Sequence, residues 1–314
     1  MVMGVKGKPV VLTIQRANKE MSISVIRDNV LASTYGKVLT DNTGYIELFQ
    51  FAENTHVEVQ SYLDEFKNKK ITNLIIDLRD NGGGYLTTLK YIASFFLPDK
   101  TLVMKQEYAN HHKEEIYTKG KPYENIKNIV ILVNQNTASA SEVLTLAIKE
   151  QRKNVTVIGT KTYGKGTVQI SQSFKDGSAI KYTTSKWLSP KGEWINGKGI
   201  NPDITVSPEQ ILTQEYPKWD VTKTYLEYDS VSSITKYSQM ALAYLGYKVL
   251  RQDGYFDQNM VQVLFQFQKD MGLTINGKLD KKCLETLISK MVYVVNTDIT
   301  RDKIYQKALE VLRG

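Results

Sequence analysis

The chain has 314 residues and a single cysteine, Cys283. One cysteine excludes an internal disulfide framework and any cysteine-rich zinc site, and leaves the compartment open. Histidine is almost as scarce: His56, His111 and His112 are the only three. His111 and His112 lie in the charged run "NHHKEE", and none of the three stands beside a glycine-rich segment or a strand end. A Ser-His-Asp triad therefore has no support in the sequence. No apolar run approaches the roughly 18 residues of a membrane-spanning helix. The opening "MVMGVKGKPVVLTIQR" lacks the apolar stretch and cleavage site of a signal peptide. Internal repeats and low-complexity tracts are also missing.

What is present reads as globular: 41% hydrophobic and 24% charged residues, in a chain longer than one typical domain. The formal net charge of +8 suits an anionic partner such as nucleic acid, an anionic membrane surface or a wall polymer, or serves solubility alone. A nucleic-acid binder is disfavoured, because no basic stripe carries interleaved aromatics.

Along the chain, "KPVVLTIQRANKEMSISVIRDNV" alternates like two strands joined by a polar turn. "YGKVLTDNTGYIELFQF" predicts a hairpin turning near Asn42 to Gly44. Val59, Leu63 and Phe66 then recur at helical spacing. "NLII" and "NIVILV" read as buried strands, followed by the helical stretches "TLKYIASFFL" and "SEVLTLAIKEQRK". Buried strands alternating with helices predict an α/β core, which gives way to β-rich pattern between "VTVIGTK" and "NPDITV". Residues 208–234 are polar with weak periodicity and read as a linker or wrapping segment. Residues 235–292 carry apolar faces at helical spacing, and "TDITRDKIYQKALEVLRG" predicts a short amphipathic tail helix.

Three segments carry chemistry. In "NTASASEVL" Ser139 falls between a strand and a helix, where free amides and the positive helix end converge. The Ala140 amide could then donate to an oxyanion formed on a carbonyl attacked by Ser139. Equally, Ser139 or Ser141 could simply cap the helix, with Glu142 in its first turn. A serine nucleophile needs a base, and lysine is the alternative to histidine. "KTYGKGTVQ" offers Lys165 between Gly164 and Gly166, with Gln169 four residues on, placed to orient the amine. Otherwise Lys165 is a basic residue in a flexible turn. "DLRDNGGG" follows a buried strand, at the end where α/β sheets place their sites. Its glycines allow close backbone approach, or merely a tight turn; no Gly-Lys-Ser/Thr follows to make a phosphate loop.

In this order the three segments, "DLRDNGGG", "TASASEV" and "YGKGTVQ", resemble those of the C-terminal processing peptidases, or tail-specific proteases, over about residues 35–207. Thr137 stands where that family's first loop serine is, and the stretch from Ser139 to Lys165 is one residue longer than usual. The resemblance implies a ClpP/crotonase-like layered α/β peptidase core with a β-rich flank. It also implies Ser139 as nucleophile, Lys165 as general base, Gln169 as its orienter, and the amides of Ala140 and of Gly83 or Gly84 as oxyanion donors. No cofactor or metal is implied. "MGVKGKPVVLTIQR" resembles only the last strands of the PDZ domain that usually precedes this core, so a signal and most of the PDZ domain are expected to be absent.

Leu245-Gly246-Tyr247, Asp253-Gly254-Tyr255-Phe256, Phe267-Gln268, Gly272-Leu273 and Gly277-Lys278-Leu279-Asp280 resemble, in order, the small all-α peptidoglycan-binding domain. Each alone is a glycine turn between amphipathic helices. The expected organisation is thus a PDZ remnant (1–30), a serine peptidase core (31–207), a linker (208–234), a peptidoglycan-binding-like helical domain (235–292) and a helical tail (293–314). The function implied is an extracytoplasmic, secreted or wall-associated serine endopeptidase with Ser-Lys(-Gln) chemistry. Its partners would be polypeptides with exposed apolar C-terminal tails and peptidoglycan, with homo-oligomerisation left open. The alternative is a truncated, inactive wall-binding scaffold.

Overall fold

The structure, a computed structural model, describes residues 5–16, 19–27, 33–39, 42–220 and 222–313. Two compact units result: residues 31–207 with 303–314, and residues 208–302 grouped with 1–30.

The first unit is built on a six-stranded sheet in the order β12-β9-β8-β5-β4-β3. Its strands are β3 (Thr34–Val38), β4 (Thr43–Leu48), β5 (Asn73–Asp77), β8 (Asn128–Val133), β9 (Val155–Gly159) and β12 (Ile204–Thr205). β3 and β4 form the expected antiparallel hairpin, but its turn falls earlier than Asn42 to Gly44, because Thr43 and Gly44 already belong to β4 and Gly44 pairs with Val38; residues 40–41 lie outside the described ones. All other neighbours are parallel. This is why "LII" in β5 and "IVILV" in β8 are apolar without alternation: both of their faces are buried. Helices α1 (Thr55–Asn68), α2 (Leu86–Ser94) and α3 (Ala140–Gln151) cover the sheet. Val59, Leu63 and Phe66 point inward from α1, as their spacing predicts. A second, antiparallel sheet has the order β10-β11-β6-β7, from β6 (Leu102–Tyr108), β7 (Lys113–Tyr117), β10 (Thr167–Ser173) and β11 (Ala179–Leu188).

The expected helical tail divides differently. One helix, α6, runs Lys281–Thr297, straight through the anticipated boundary at 292. The last helix, α7 (Lys303–Arg313), belongs to the first unit, burying Ile304, Tyr305 and Ala308. The Tyr305 ring meets Tyr45 edge-on at 5.8 Å.

The second unit has its own core. Helices α4 (Ser233–Tyr244), α5 (Gln258–Asp270) and α6 bury Leu242, Leu264, Phe267, Leu284 and Leu287 around Phe256. Residues 208–234 are not a bare linker, because Ile211 and Leu226 are buried in this core. Tyr225–Leu226 also forms a short strand, β13, against Leu279–Asp280, β14. Near the chain start, β1 (Pro9–Arg16) and β2 (Lys19–Ile26) pair antiparallel as expected, their turn at 17–18 lying outside the described residues.

Candidate active site

β9, β8 and β5 are neighbours and run parallel. Their carboxyl ends therefore feed three adjacent loops, the position where such sheets build sites. The β5 loop is "DLRDNGGG", the β8 loop carries Ser139, and the β9 loop carries Lys165.

Ser139 has φ 56° and ψ −120°, outside the usual left-handed basin and costly for a residue with a Cβ, by about 1–3 kcal/mol. The carboxylate of Glu142 helps to hold this turn by accepting the Ser139 amide at 2.9 Å, in a capping-box arrangement. Ala140 opens α3, so its N–H has no carbonyl acceptor within the helix. Ser141 is fully buried and donates its hydroxyl to the Asn81 carbonyl at 3.0 Å. It thus fastens two loops together, which separates it from Ser139.

Glu142 does more than cap. It is fully buried and receives the Thr162 hydroxyl at 2.5 Å and the Gly164 and Lys165 amides at 2.7 and 2.9 Å. With the Ser139 amide that makes four donors on one carboxylate, joining the serine turn to the lysine turn. Among neutral donors a carboxylate is the strongest acceptor to choose. Its position in the first helical turn was legible; its reach across 22 residues was not.

The glycine loop is fixed from both ends. Asp77, 2% exposed, takes the Arg79 side chain through Nε at 2.9 Å and Nη2 at 2.6 Å, and the Tyr45 hydroxyl at 2.9 Å. Burial, together with the negative charge of Asp77, pushes the Tyr45 phenol far up and the Glu47 carboxyl upward. Asn81 is fully buried: its Nδ2 donates to the Leu48 carbonyl at 2.7 Å, and its carbonyl accepts the Ala138 amide at 3.0 Å. Thr137, also fully buried, donates to the Leu78 carbonyl at 2.8 Å. Any hydroxyl would serve there, which explains why threonine stands in place of serine.

Gly83 has φ +100° and packs against the serine turn. A Cβ added there would lie 2.9 Å from the Ala140 amide nitrogen, the Ala138 carbonyl oxygen and Ser139 Cβ. Its own N–H, however, donates to Asn81 Oδ1 at 2.8 Å. Lys165 and Gln169 line one open groove of about 630 Å³ with Asn136, Ala138, Tyr163 and Asn196. The Gln169 amide donates to Thr183 Oγ1 at 3.4 Å, beside a bulge between Val168 and Gln169. No histidine lines this groove. His56 stacks on Tyr91 at 4.6 Å, and His111 and His112 lie 3.9 and 3.6 Å from Glu107 and Glu114.

A parallel α/β sheet delivering a strained helix-start serine, a glycine loop and a lysine turn to one edge defines the class: a serine-peptidase fold. Residues 42–206 match the model of peptidase family S41, and the chain belongs to that family. Residues 234–287 match the "Putative peptidoglycan binding domain" family. The chain is 36% identical over 301 residues to a protein of Staphylococcus epidermidis named "Probable CtpA-like serine protease", covering 94% of this chain and 60% of that one. It is 34% identical over 315 residues to the carboxy-terminal processing protease CtpA of Bacillus subtilis, covering 100% of this chain and 66% of that one. The chain therefore spans about 60% of the length of the first of these relatives. Among solved structures, a photosystem II D1 C-terminal processing protease superposes with TM-score 0.51 at 25% identity, covering 66% of this chain and 58% of that one. Both the family and the mixed α/β fold with a small helical C-terminal region agree with what the sequence predicts.

Proposed function

We propose that this chain is the catalytic and wall-binding portion of an extracytoplasmic serine endopeptidase that cleaves polypeptides near apolar C-terminal tails. The observation that carries the reading is the convergence of the Ser139, Lys165 and glycine loops at the ends of three neighbouring parallel strands. Lys165, acting as general base, takes the proton of the Ser139 hydroxyl while Oγ bonds to the scissile carbonyl carbon. The oxyanion is met by the Ala140 amide and by the glycine loop. The Gly83 N–H serves once it leaves Asn81; otherwise Gly84 supplies the second donor. Collapse breaks the C–N bond, the ammonium of Lys165 protonates the departing amine, and water then hydrolyses the acyl-Ser139 ester. Gln169 orients the amine after releasing Thr183. Ser139→Ala should lower turnover by about 10³-fold or more, leave folding intact and abolish fluorophosphonate labelling. Lys165→Arg, which keeps the charge but cannot act as a base, should be as inactive as Lys165→Ala. Retained turnover in either would sink the assignment.

The engaged Gly83 amide favours a second reading, a non-catalytic scaffold. Wild-type chain that neither cleaves unstructured peptides nor labels at Ser139 would select it.

Wall attachment is supported by the family match over 234–287 and the charge of +8. The same unit holds a cavity of about 440 Å³, lined by Gln210, Tyr244, Gln252 and Arg301 among others. Aromatic and amide groups suit an acetylated glycan, with Glu209 and Arg301 supplying charge of both signs. Sedimentation with purified peptidoglycan should persist near 1 M salt, where the Debye length is about 3 Å. Loss of binding there reduces attachment to charge alone. The 9–26 hairpin is consistent with the closing strands of a PDZ domain.

A further inference from the structure

Gly164, Lys165 and Gly166 form the most pliable kind of backbone on which to mount a reactive group, because glycines accept many conformations. In this structure none of their backbone polar groups is free. The Gly164 and Lys165 amides go to Glu142 and the Gly166 amide to Asn196 Oδ1 at 3.1 Å. The Gly164 carbonyl accepts the Gly197 amide at 2.8 Å. The Lys165 carbonyl accepts Trp187 Nε1 at 2.7 Å, and the Gly166 carbonyl accepts both Trp194 Nε1 at 2.9 Å and the Trp187 amide at 3.1 Å. Apart from Glu142, every one of these partners comes from one stretch, residues 187–197.

Two of the partners are not where folding alone would put them. Trp187 is 1% exposed and belongs to the core, so its hydrogen bond accompanies ordinary packing. Trp194 is 42% exposed, yet its indole N–H is directed into the lysine turn, and Lys186 lies over its ring at 5.6 Å. Asn196 is exposed and lines the same groove as Lys165. The approach is close: a Cβ on Gly166 would lie 2.7 Å from both Trp194 Nε1 and Asn196 Cβ. Glycine at 166 thus admits these two side chains as well as allowing a turn.

We propose that Trp194 and Asn196 are positioning residues that fix Lys165 against Ser139 by holding the carbonyl and amide of Gly166. The proposal rests on Lys165 being the general base. Neither residue touches the reacting atoms; each acts through the backbone of the base. A misplacement of about 1 Å in a reacting group costs on the order of 10²-fold in rate, so their loss should appear in kcat, with substrate binding largely spared.

The test uses the full chain, an unstructured peptide with an apolar tail, and five variants. Lys165→Ala sets the background. Trp194→Phe removes the N–H and keeps a ring; Asn196→Leu removes the acceptor and keeps the size. Each of these two should lower kcat about 10- to 100-fold, with KM within about twofold and the melting temperature within a few degrees. Asn196→Asp keeps the acceptor oxygen and should recover most of the rate lost in Asn196→Leu. Trp194→Phe combined with Asn196→Leu should fall no further than Lys165→Ala. The proposal is overturned if Asn196→Leu and Trp194→Phe keep wild-type kcat. It is likewise overturned if Asn196→Asp is as poor as Asn196→Leu, or if the loss follows melting temperature and KM instead of kcat. Activity in Lys165→Ala would be a different failure: it removes the base reading itself, and this proposal with it. Loss in Lys165→Ala with normal rates at 194 and 196 removes this proposal alone.

Discussion

Both units bury polar side chains, and they use them in opposite ways. In the unit built on residues 31–207, Glu142 and Asn81 each bind loops that leave different strands. In the helical unit, Gln239 and Gln268 are as deeply buried, but each closes a glycine turn a short way along its own chain. Gln239 accepts the Gly254 amide at 2.9 Å and donates to the Tyr255 carbonyl at 2.8 Å. Gln268 accepts the Asn276 and Gly277 amides at 3.0 and 2.9 Å and donates to the Lys278 carbonyl at 2.8 Å. Each turn then ends in an aspartate, Asp257 or Asp280, that caps the next helix. These four side chains are equally buried, and each is hydrogen-bonded. What differs is what the polar group connects: loops that leave separate strands in one unit, a single turn in the other.

The comparison breaks most visibly at Glu142. Glu142→Ala strands four donors at once, at about 1–3 kcal/mol for each buried unsatisfied group before water relieves part of the cost. Denaturant titration should show a loss of about 3–5 kcal/mol in the peptidase unit, and peptide cleavage should vanish. Glu142→Gln keeps one acceptor oxygen and turns an NH₂ toward other donors. It should regain stability before it regains activity. If Glu142→Gln is fully active, the carboxylate is only a cap and the contrast between the units is lost.

Gly83→Ala comes next. Alanine at φ +100° is strained by about 1–3 kcal/mol, and its Cβ would press on Ala138, Ser139 and Ala140 together. A fall of about 10²-fold in kcat is expected, from displacement of the serine turn. A variant with unchanged kcat would show that the close packing of these two loops does not matter to the chemistry.

Gln268→Leu should do the reverse. It leaves the Asn276 and Gly277 amides without their acceptor, for a loss of about 2–3 kcal/mol confined to the helical unit. Cleavage of a soluble peptide should be unaffected, while peptidoglycan sedimentation declines. Equal damage to cleavage would mean that the helical unit supports the site directly.

This division also explains what could be read from the sequence. Ser139, Lys165 and the glycines stood out as candidates because each sits in a local pattern: a strand end, a helix start, a lysine between glycines. The helices were legible through their apolar periodicity, and the parallel strands through unbroken apolar runs. Partners such as Asn81, Trp187, Trp194 and Asn196 were not, because their bonds cross tens of residues and leave no local trace. The Gly83 amide looked available, and only the fold shows Asn81 occupying it. Ile211 and Leu226 were lost in a segment whose average is polar, although two anchoring side chains suffice to make 208–234 part of a core.

The smallest effect falls on the one cysteine. Cys283 is 2% exposed in the helical unit, and burial, helped by the nearby negative charge of Asp280, pushes its thiol up to about 12. An unfolded cysteine titrates near 8.5. Between these values the unfolded chain holds fewer protons than the folded one, so folding stability falls as pH rises, by at most about 1.4 kcal/mol per pH unit. The full contribution is present below about pH 8.5 and is lost on the way to about 12. Tyr237, also raised to about 12 by burial, adds to the loss only above its ordinary value near 10. The unfolding free energy of the helical unit, from denaturant titrations at pH 8 and pH 10, should differ by about 2 kcal/mol, and Cys283→Ala should flatten the difference. No other thiol exists in the chain, so the peptidase unit should show little slope until about pH 10, where its own raised Tyr45 and Tyr123 phenols begin to cost stability. Iodoacetamide at pH 8 should leave the folded protein unlabelled and peptidase activity untouched, and should label Cys283 once the helical unit opens in urea. Rapid labelling of the folded chain would show that this core is not closed around Cys283, and the picture of a unit whose buried groups serve only its own packing would have to be given up.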